Sequence, residues 1–269
     1  MNKIQLVLIT LCWNEQDNIP FVIDYWKRYF TDHTTLKVVV YDNYSTDKSI
    51  EMLSKYDWIE IRQFQTDGMN DVVQQYIKNN AWKEFKETAD FIIVCDMDEM
   101  LYFNTDIIKT LYWMKKGGYN VLGTKWYMMC SDKEPVYTEG KLLHELCPRV
   151  CYQDVNRNRP DLGKYLLIDP KMIDDMNWSV GNHIANPQPF LNLYEASPKD
   201  CFAIHINKGF SEDYFVNRRK YMFERLSDVN KKYGLCIEYG YPEEQTRNEY
   251  RDNVKKSFDI NELMKKGID

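Results

Sequence analysis

Apolar runs alternate with helical segments four times before residue 100, and this pattern limits the folds open to the chain. The runs predicted as strands are Gln5–Leu11, Lys37–Tyr41, Trp58–Gln63 and Phe91–Cys95, and a long helix is predicted over Met69–Glu87. Alternation of this kind produces a mainly parallel sheet with right-handed crossovers and helices on its faces. We therefore expect an α/β fold.

The strand predicted at Phe91–Cys95 ends in three carboxylates, Asp96, Asp98 and Glu99. A run this apolar is typical of a strand buried on both faces, where an unpaired charge is costly, so the acids belong at the strand end. In extended backbone Asp96 and Asp98 point the same way, and Glu99 points away and would brace the loop. Two carboxylates on one side attract a divalent cation, and Mg²⁺ or Mn²⁺ with phosphate oxygens as further ligands fits best.

The first two predicted strands also end in polar side chains. Asn14 and Glu15 follow the first strand, and Asp42 follows the second. In a parallel sheet the carboxyl ends of the strands lie along one edge, where open α/β sheets bind their ligands. We therefore expect these side chains to surround one crevice together with Asp96 and Asp98.

Composition limits which binding partners and which cellular compartment we expect for the protein. The net charge of −6 over 269 residues argues against nucleic acid as the main partner. The seven cysteines include no CxxC pair, which favours reduced thiols. The apolar run Ile4–Cys12 is too short to span a bilayer and lacks a small-residue cleavage site. We expect a cytoplasmic protein without a transmembrane segment, for which peripheral membrane contact stays open.

After Glu99 the regular alternation gives way to a mixed pattern. A helix is predicted at Thr105–Lys116, and the polar stretch Asp154–Gly163 is predicted to be a surface loop. The remaining predicted segments are the strands Tyr119–Met129, Arg149–Gln153, Lys164–Ile168 and Cys201–Ile206 and the helices Ser211–Asn230 and Glu243–Lys266.

Three segments, each at a predicted strand end, now point to one enzyme family: Cys12–Glu15, Val40–Asp47 and Asp96–Glu99. Val40–Asp47 contains an Asp-Asn-x-Ser-x-Asp run, and Asp96–Glu99 matches a DxD motif. With these segments the chain resembles metal-dependent glycosyltransferases of the GT-A fold, in the family 2-like group. The resemblance implies a nucleotide-sugar donor, a Mn²⁺ or Mg²⁺ cofactor, and a glycan, lipid-linked or other hydroxyl acceptor.

The same resemblance implies how the chain is organised. Residues 1–103 would form the nucleotide-sugar-binding half, which ends in the DxD motif, and residues 104–210 the acceptor-side half of the same catalytic domain. Residues 211–269 would form a C-terminal helical extension. The expected fold is therefore of the GT-A type, with a mainly parallel nucleotide-binding sheet flanked by helices, a mixed acceptor-side region and C-terminal helices.

The donor site can also be assigned by this likeness. Asp42 would accept a hydrogen bond from the base edge, so a UDP-sugar fits best, with a dTDP-sugar also possible. Asp96 would face the ribose or the metal, and Asp98 would ligate the metal. Lys164 or Lys208 would assist departure of the diphosphate. The residues that would line the nucleoside pocket are Thr10, Asn14, Glu15 and Asp42.

The acceptor side follows from the same likeness. GT-A enzymes often bring a C-terminal histidine to the metal, and His205 on its predicted strand resembles that residue. The resemblance favours transfer with inversion, which needs a general base to deprotonate the acceptor hydroxyl. We expect Asp175 in that role and His183 as the next candidate. Rival carboxylates are Glu139, Glu145 and Asp161.

Other functions use similar side chains. A sugar nucleotidyltransferase also needs carboxylates and a metal, but the Gly-rich phosphate loop expected near its first strand is missing here. A glycoside hydrolase needs carboxylates on opposite faces of the sugar, whereas these cluster on one loop. A non-catalytic nucleotide- or sugar-binding protein would not require the complete acidic cluster. The nucleotidyltransferase and the binding protein remain the alternatives.

Overall fold

A computed structural model of the protein describes residues 3–152, 162–206 and 209–265. Three sequence predictions fall outside these ranges: most of the Asp154–Gly163 loop, the rival base Asp161 and the alternative phosphate-binding residue Lys208. Across the described ranges, no helix is both long enough and apolar enough to cross a membrane.

The first sheet has seven strands among the described residues. These are β1 (Ile4–Cys12), β2 (Thr34–Asp42), β3 (Ile59–Gln63), β4 (Phe91–Asp96), β6 (Val121–Gly123), β9 (Leu167–Ile168) and β10 (Leu193–Glu195). Their spatial order is β10-β6-β9-β4-β1-β2-β3. The first four strands are parallel, and of these seven only β9 runs antiparallel to its neighbours. The predicted mainly parallel sheet is confirmed.

Strand β4 is buried on both faces, as its composition predicts. Phe91, Ile92, Ile93 and Val94 are all fully buried. Phe91 and Ile93 pack into the core on one side of the sheet, and Ile92 and Val94 pack into the core on the other. Burial of this strand therefore ends at Asp96, where the backbone reaches the carboxyl edge of the sheet.

Helices cover the two faces of this sheet. They are α1 (Ile19–Trp26), α2 (Ser49–Leu53), α3 (Asp71–Asn80) and α4 (Ile107–Gly117). Asn70 caps α3 by accepting a hydrogen bond from the Val73 amide at 3.2 Å, and Asp106 caps α4 by accepting one from the Ile108 amide at 2.9 Å. Gly118 ends α4 in the left-handed conformation, where glycine is preferred.

A second sheet joins the DxD segment to the later half of the chain. It contains β5 (Glu99–Phe103), β7 (Trp126–Met129), β8 (Arg149–Tyr152), β11 (Cys201–His205) and β12 (Phe258–Asp259). Their order is β12-β8-β7-β11-β5. Because β5 follows β4 after only two residues, this sheet begins at the carboxyl edge of the first one. The antiparallel pairing of β11 with β5 places His205 opposite Glu99.

The C-terminal segment packs against the second sheet. Phe215 and Tyr250 are buried against Met128, Cys130 and Cys151. The remaining helices are α5 (Leu143–Leu146), α6 (Glu212–Glu224), α7 (Asp228–Tyr233), α8 (Glu243–Lys256) and α9 (Ile260–Lys265). Short 3-10 helices occur at Lys27–Tyr29, Ala81–Phe85, Pro170–Met172, Val180–Asn182 and Ile237–Gly240.

One predicted helix is shorter than expected. The helix predicted over Met69–Glu87 is α3 followed by a 3-10 helix, because Asn80 leaves the helical conformation at φ −121°. The tighter winding aligns side chains three residues apart, and it buries Trp82 and Phe85 on the same side.

Two further predictions merge elements that the structure separates. The strand predicted over Tyr119–Met129 is β6 and β7, which belong to different sheets. The helix predicted over Ser211–Asn230 is α6 and α7, because the chain turns after Arg225 and Ser227 caps the new helix. Apolar pattern alone does not mark the break between β6 and β7, since both strands are fully buried.

Candidate functional site

A pocket of about 330 Å³ lies at the carboxyl edge of β1 and β4. Its floor comes from the strand ends, one wall comes from α3, and α6 lies across the other side. Ionisable side chains of both signs dominate its lining. Those used below are Glu15, Asp71, Lys78, Asp96, Asp98, Glu99, Lys164, His183, His205 and Arg218.

Asp98, Glu99 and His205 form a cluster with the composition of a metal site. One ligand atom from each lies within 4.8 Å of the other two. The Nε2 atom of His205 is 2.8 Å from Oδ2 of Asp98. Ligands on opposite sides of a Mg²⁺ ion are about 4.2 Å apart, twice the usual metal–oxygen distance. Small side-chain movements would therefore let these three donors share one divalent ion.

Glu99 was expected to point away from the other acids, and that prediction is wrong. The prediction assumed extended backbone through the DxD segment, whereas Met97 and Asp98 form a turn between β4 and β5. The turn interrupts the strand, so alternation along a single strand does not apply. Glu99 is buried at the start of β5, and its carboxylate joins the cluster.

Asp96 lies beside this cluster and pairs with Lys78. The Nζ atom of Lys78 is 2.7 Å from a carboxylate oxygen of Asp96. Only 2% of the Lys78 side chain is exposed, against 27% for Asp96. Burial alone would lower the pKa of the Lys78 ammonium. The nearby carboxylates of Asp96 and Glu99 have a larger, opposite effect, so the pKa lies above its ordinary value. Lys78 is therefore a buried cation beside the pocket.

Lys164 is a second buried cation in the pocket. Its ammonium forms an ion pair with Glu99, and it lies 4.7 Å from the centre of the Trp126 ring. Gly163 makes this approach possible, because a Cβ atom there would lie 2.2 Å from Cβ of Trp126. The predicted phosphate-binding lysine thus lies in the same pocket as the acidic cluster.

Arg218 of α6 provides a third, largely buried cation from the opposite side. It forms an ion pair with Glu15 and donates to the Asn14 carbonyl at 3.1 Å. Burial raises the pKa of the Glu15 carboxyl above its ordinary value, and Arg218 opposes that rise. The pair fixes α6 to the end of β1, so the C-terminal helices form part of the site.

Three residues predicted for the nucleoside pocket, Thr10, Asn14 and Asp42, lie behind its described lining. Thr10 is fully buried within β1. Asp42 accepts hydrogen bonds from the Ser45 amide and from the Ser45 hydroxyl, the latter at 2.6 Å. Asn14 accepts from the Thr46 amide at 2.7 Å. The Asn14–Thr46 contact joins the end of β1 to the segment after β2. Glu15 alone of the four predicted residues lines the pocket.

His183 lies in the pocket and Asp175 does not. The imidazole folds back over Gly181, which has φ +70°, and a Cβ atom there would lie 2.6 Å from Nε2 of His183. Asp175 lies at the surface with 49% of its side chain exposed and pairs with Lys83. The structure therefore gives no geometric support to Asp175 as the base. The rivals Glu139 and Glu145 are also away from the described lining.

Three residues that line the pocket were not predicted from the sequence: Lys78, Arg218 and Asp71. A usable signal existed on α3, where polar residues recur at the spacing of one helix face: Asp71, Gln74, Gln75 and Lys78. All four line the pocket. No comparable signal marks Arg218, because its position depends on how α6 packs across the sheet edge.

No family model matches the chain, and no curated protein matches it. Among solved structures, S. aureus TarS 1-349 is 15% identical, with a TM-score of 0.46 over 88% of this chain and 70% of that one. Its complex with UDP-GlcNAc is 13% identical, with a TM-score of 0.43 over 88% and 71%. The mannosyltransferase PcManGT from Pyrobaculum calidifontis, in complex with GDP-Man and Mn²⁺, is 15% identical, with a TM-score of 0.32 over 49% and 37%. These values are too low to transfer a ligand or a residue role to this chain.

Proposed function

We propose that the protein is a metal-dependent glycosyltransferase that moves a sugar from a nucleotide diphosphate sugar to a hydroxyl acceptor, with inversion. A UDP-sugar is the preferred donor class, and the acceptor is a glycan, a lipid-linked molecule or another alcohol. One observation carries the proposal: three largely buried cations and a metal-type acidic cluster converge on one pocket at the carboxyl edge of a parallel sheet.

Asp98 and His205 are the proposed metal ligands, and Glu99 joins them. Asp96 either completes this set or faces the donor ribose. A bound Mn²⁺ or Mg²⁺ supplies positive charge that stabilises the leaving diphosphate. The support for this assignment is the donor set itself, since hard carboxylate oxygens predominate and the three ligand atoms lie close together.

Lys78, Lys164 and Arg218 are proposed to bind the donor diphosphate. Each is largely buried and pairs with a carboxylate of the pocket. Phosphate oxygens are equally good partners for ammonium and guanidinium groups, so donor binding needs only an exchange of partners. Fixed positive charges in a site shielded from water stabilise the charge that grows on the leaving oxygen.

Glu15 is proposed to contact the nucleoside directly. Asp42, Asn14 and Thr10 are proposed to support the nucleoside pocket indirectly, since none of the three is part of its lining. Residues 1–103 would thus supply most of the donor side, residues 104–210 the acceptor side, and residues 211–269 the wall that carries Arg218.

His183 is proposed as the group that removes the acceptor proton. It faces the pocket from the end of the 3-10 helix Val180–Asn182, on the acceptor-side half of the chain. An imidazole titrates near neutral pH and therefore suits this task. Asp175, paired with Lys83 at the surface, is not placed to serve the same pocket.

A donor screen tests the proposal. The protein is incubated with UDP-, dTDP- and GDP-sugars and Mn²⁺, and release of the nucleoside diphosphate is followed with and without a chelator. We expect release from a UDP-sugar that requires Mn²⁺ and that falls by about a hundredfold or more in Asp98→Asn, since the lost group stabilises developing charge.

Asp174→Asn is the matched control, because Asp174 has the same side chain but pairs with Lys86 at the surface. It should leave the rate unchanged. Release of pyrophosphate from a nucleoside triphosphate and a sugar phosphate would instead identify a nucleotidyltransferase. Absence of turnover with every donor, together with retained UDP binding, would identify a binding protein.

A further inference from the structure

Helix α4 presents two large aromatic side chains to solvent. Its inner side buries Ile107, Leu111 and Met114, as an amphipathic helix on a sheet should. Its outer side carries Tyr112 and Trp113, which are 55% and 43% exposed and pack edge to face on each other. An exposed tryptophan beside an exposed tyrosine is unusual on a free surface, since aromatic rings of this size are normally largely buried.

A second exposed apolar pair lies next to the end of this helix. Phe190 and Leu191 are both exposed, in the loop that precedes β10. The loop is fixed to the chain after α4, because Asn120 donates to the Phe190 carbonyl at 2.8 Å and Asn192 donates to the Gly118 carbonyl at 2.9 Å. At about 1.5 Å of rise per residue, Trp113 is roughly 8 Å along the helix from this junction. We call these four exposed side chains, with the lysines of α4, the α4 face.

The charge of the α4 face is opposite to that of the whole protein. Between Ile107 and Gly118 the sequence contains three lysines and no acidic residue, although the chain carries a net charge of −6. Lys116 holds its ammonium 4.8 Å from the Trp113 ring centre and 5.8 Å from that of Tyr112. Lys109 and Lys115 pair with Asp200 and Asp169, but both lysines remain well exposed.

We propose that the α4 face docks on the surface of an anionic lipid bilayer. Tryptophan and tyrosine prefer the interface between lipid headgroups and hydrocarbon, and lysines beside them bind anionic headgroups. Lysine is depleted in the interfaces between proteins, so this mixture fits a lipid surface better than a protein partner or a second copy of the chain. The contact is interfacial, with the aromatic rings inserted and the helix lying along the surface.

The C-terminal end of α4 lies near the start of β4, whereas the pocket is at the carboxyl end of that strand. Val121, just after α4, is level with Ile92 in the strand register, and Lys115 lies 4.9 Å from the ring centre of Phe91. Asp96 is four residues further along β4, or roughly 13 Å at about 3.3 Å per residue. Docking therefore leaves the pocket open, and this inference does not depend on the proposed function.

Co-sedimentation with vesicles tests it. The full chain is mixed with phosphatidylcholine vesicles that either contain or lack phosphatidylglycerol, at low and at high salt. We expect binding to the anionic vesicles, weakening at high salt. Lys116→Glu should weaken the partition by about fivefold or more, because each lysine near an anionic surface contributes about a fivefold factor and the new glutamate is repelled. Trp113→Ser should weaken binding at both salt concentrations.

The matched controls are Lys232→Glu and Tyr233→Ser, since α7 also holds a lysine over an exposed tyrosine, 5.6 Å from its ring centre. Both should bind vesicles like the unmodified protein. Three results would overturn the inference: no binding to anionic vesicles, equal loss in the α7 variants, or a lipid-independent dimer that Trp113→Ser dissociates. The last would assign the α4 face to a second copy of the chain.

Discussion

His205 lies directly opposite Glu99 in the antiparallel pairing of β11 with β5. This single register brings the imidazole to the acidic turn at the end of β4, more than 100 residues earlier in the chain, with Nε2 2.8 Å from Oδ2 of Asp98. The proposed metal ligands and the start of the second sheet therefore depend on the same short stretch of backbone.

The first prediction concerns this pairing. His205→Ala removes one donor atom of the cluster but leaves the strand backbone intact, so the protein should fold and bind Mn²⁺ at least about tenfold more weakly. Mn²⁺ affinity is measured by electron paramagnetic resonance of the free ion. His33→Ala, at an exposed loop position, is the control and should bind as before. Equal affinity in His205→Ala would remove His205 from the metal site.

The second prediction concerns the unequal exposure of Lys78 and Asp96. Asp96→Asn leaves a buried ammonium without its carboxylate, which should cost about 3–5 kcal/mol of unfolding free energy. Lys78→Met should cost less, because the Asp96 carboxylate that it leaves behind is 27% exposed and reaches water. Urea unfolding of both single variants and of the double variant measures these losses of unfolding free energy. A larger loss in Lys78→Met would contradict the assignment of Lys78 as the buried partner.

The third prediction separates backbone strain from contact with His183. Gly181→Ala and Gly234→Ala both place a side chain at a positive φ, of +70° and +65°, and each should lose about 1–2 kcal/mol of stability. Only Gly181→Ala also places its methyl group against the His183 imidazole, since nothing lies within 4 Å of a Cβ atom at Gly234. Gly181→Ala should therefore lower kcat while the donor Kd is unchanged, and Gly234→Ala should not. Equal kcat values would argue against His183 in catalysis.

The fourth prediction concerns pH. Burial lowers the pKa of His144 below its ordinary value, and its Nε2 lies 3.3 Å from the Tyr102 hydroxyl. A depressed pKa in the folded state means that the neutral ring contributes stability above the unfolded pKa of about 6.5, and that this contribution is lost as the pH falls. As the pH is lowered from about 7 to about 5, the Tm of His144→Gln should therefore fall by less than the Tm of the unmodified protein. Parallel Tm curves would show that His144 does not titrate on unfolding.

Much of the donor half could be predicted from the sequence because each signal there is local. An apolar run that stops in carboxylates marks both β4 and its end, and the sheet then brings Glu15, Asp96 and Asp98 to one edge. The error at Glu99 has an equally local cause. Alternation along a strand holds only while the strand continues, and the chain turns at Met97 and Asp98.

The other half of the site could not be predicted in this way because it is built by long-range packing. Arg218 reaches Glu15 only after α6 folds across the sheet edge, more than 200 residues along the chain. Asp175 shows the same limit of sequence separation. An acidic residue at a plausible distance along the sequence lies at the surface, paired with Lys83, since sequence separation does not determine which wall of the pocket a loop forms.

Calorimetric titration with UDP in the presence of Mn²⁺ tests the central claim most directly. We expect saturable binding that disappears when Mn²⁺ is chelated, that weakens strongly in Arg218→Gln and Asp98→Asn, and that is unchanged in Asp174→Asn. Absence of binding in the unmodified protein, or binding of equal strength with and without Mn²⁺ and in all three variants, would contradict it.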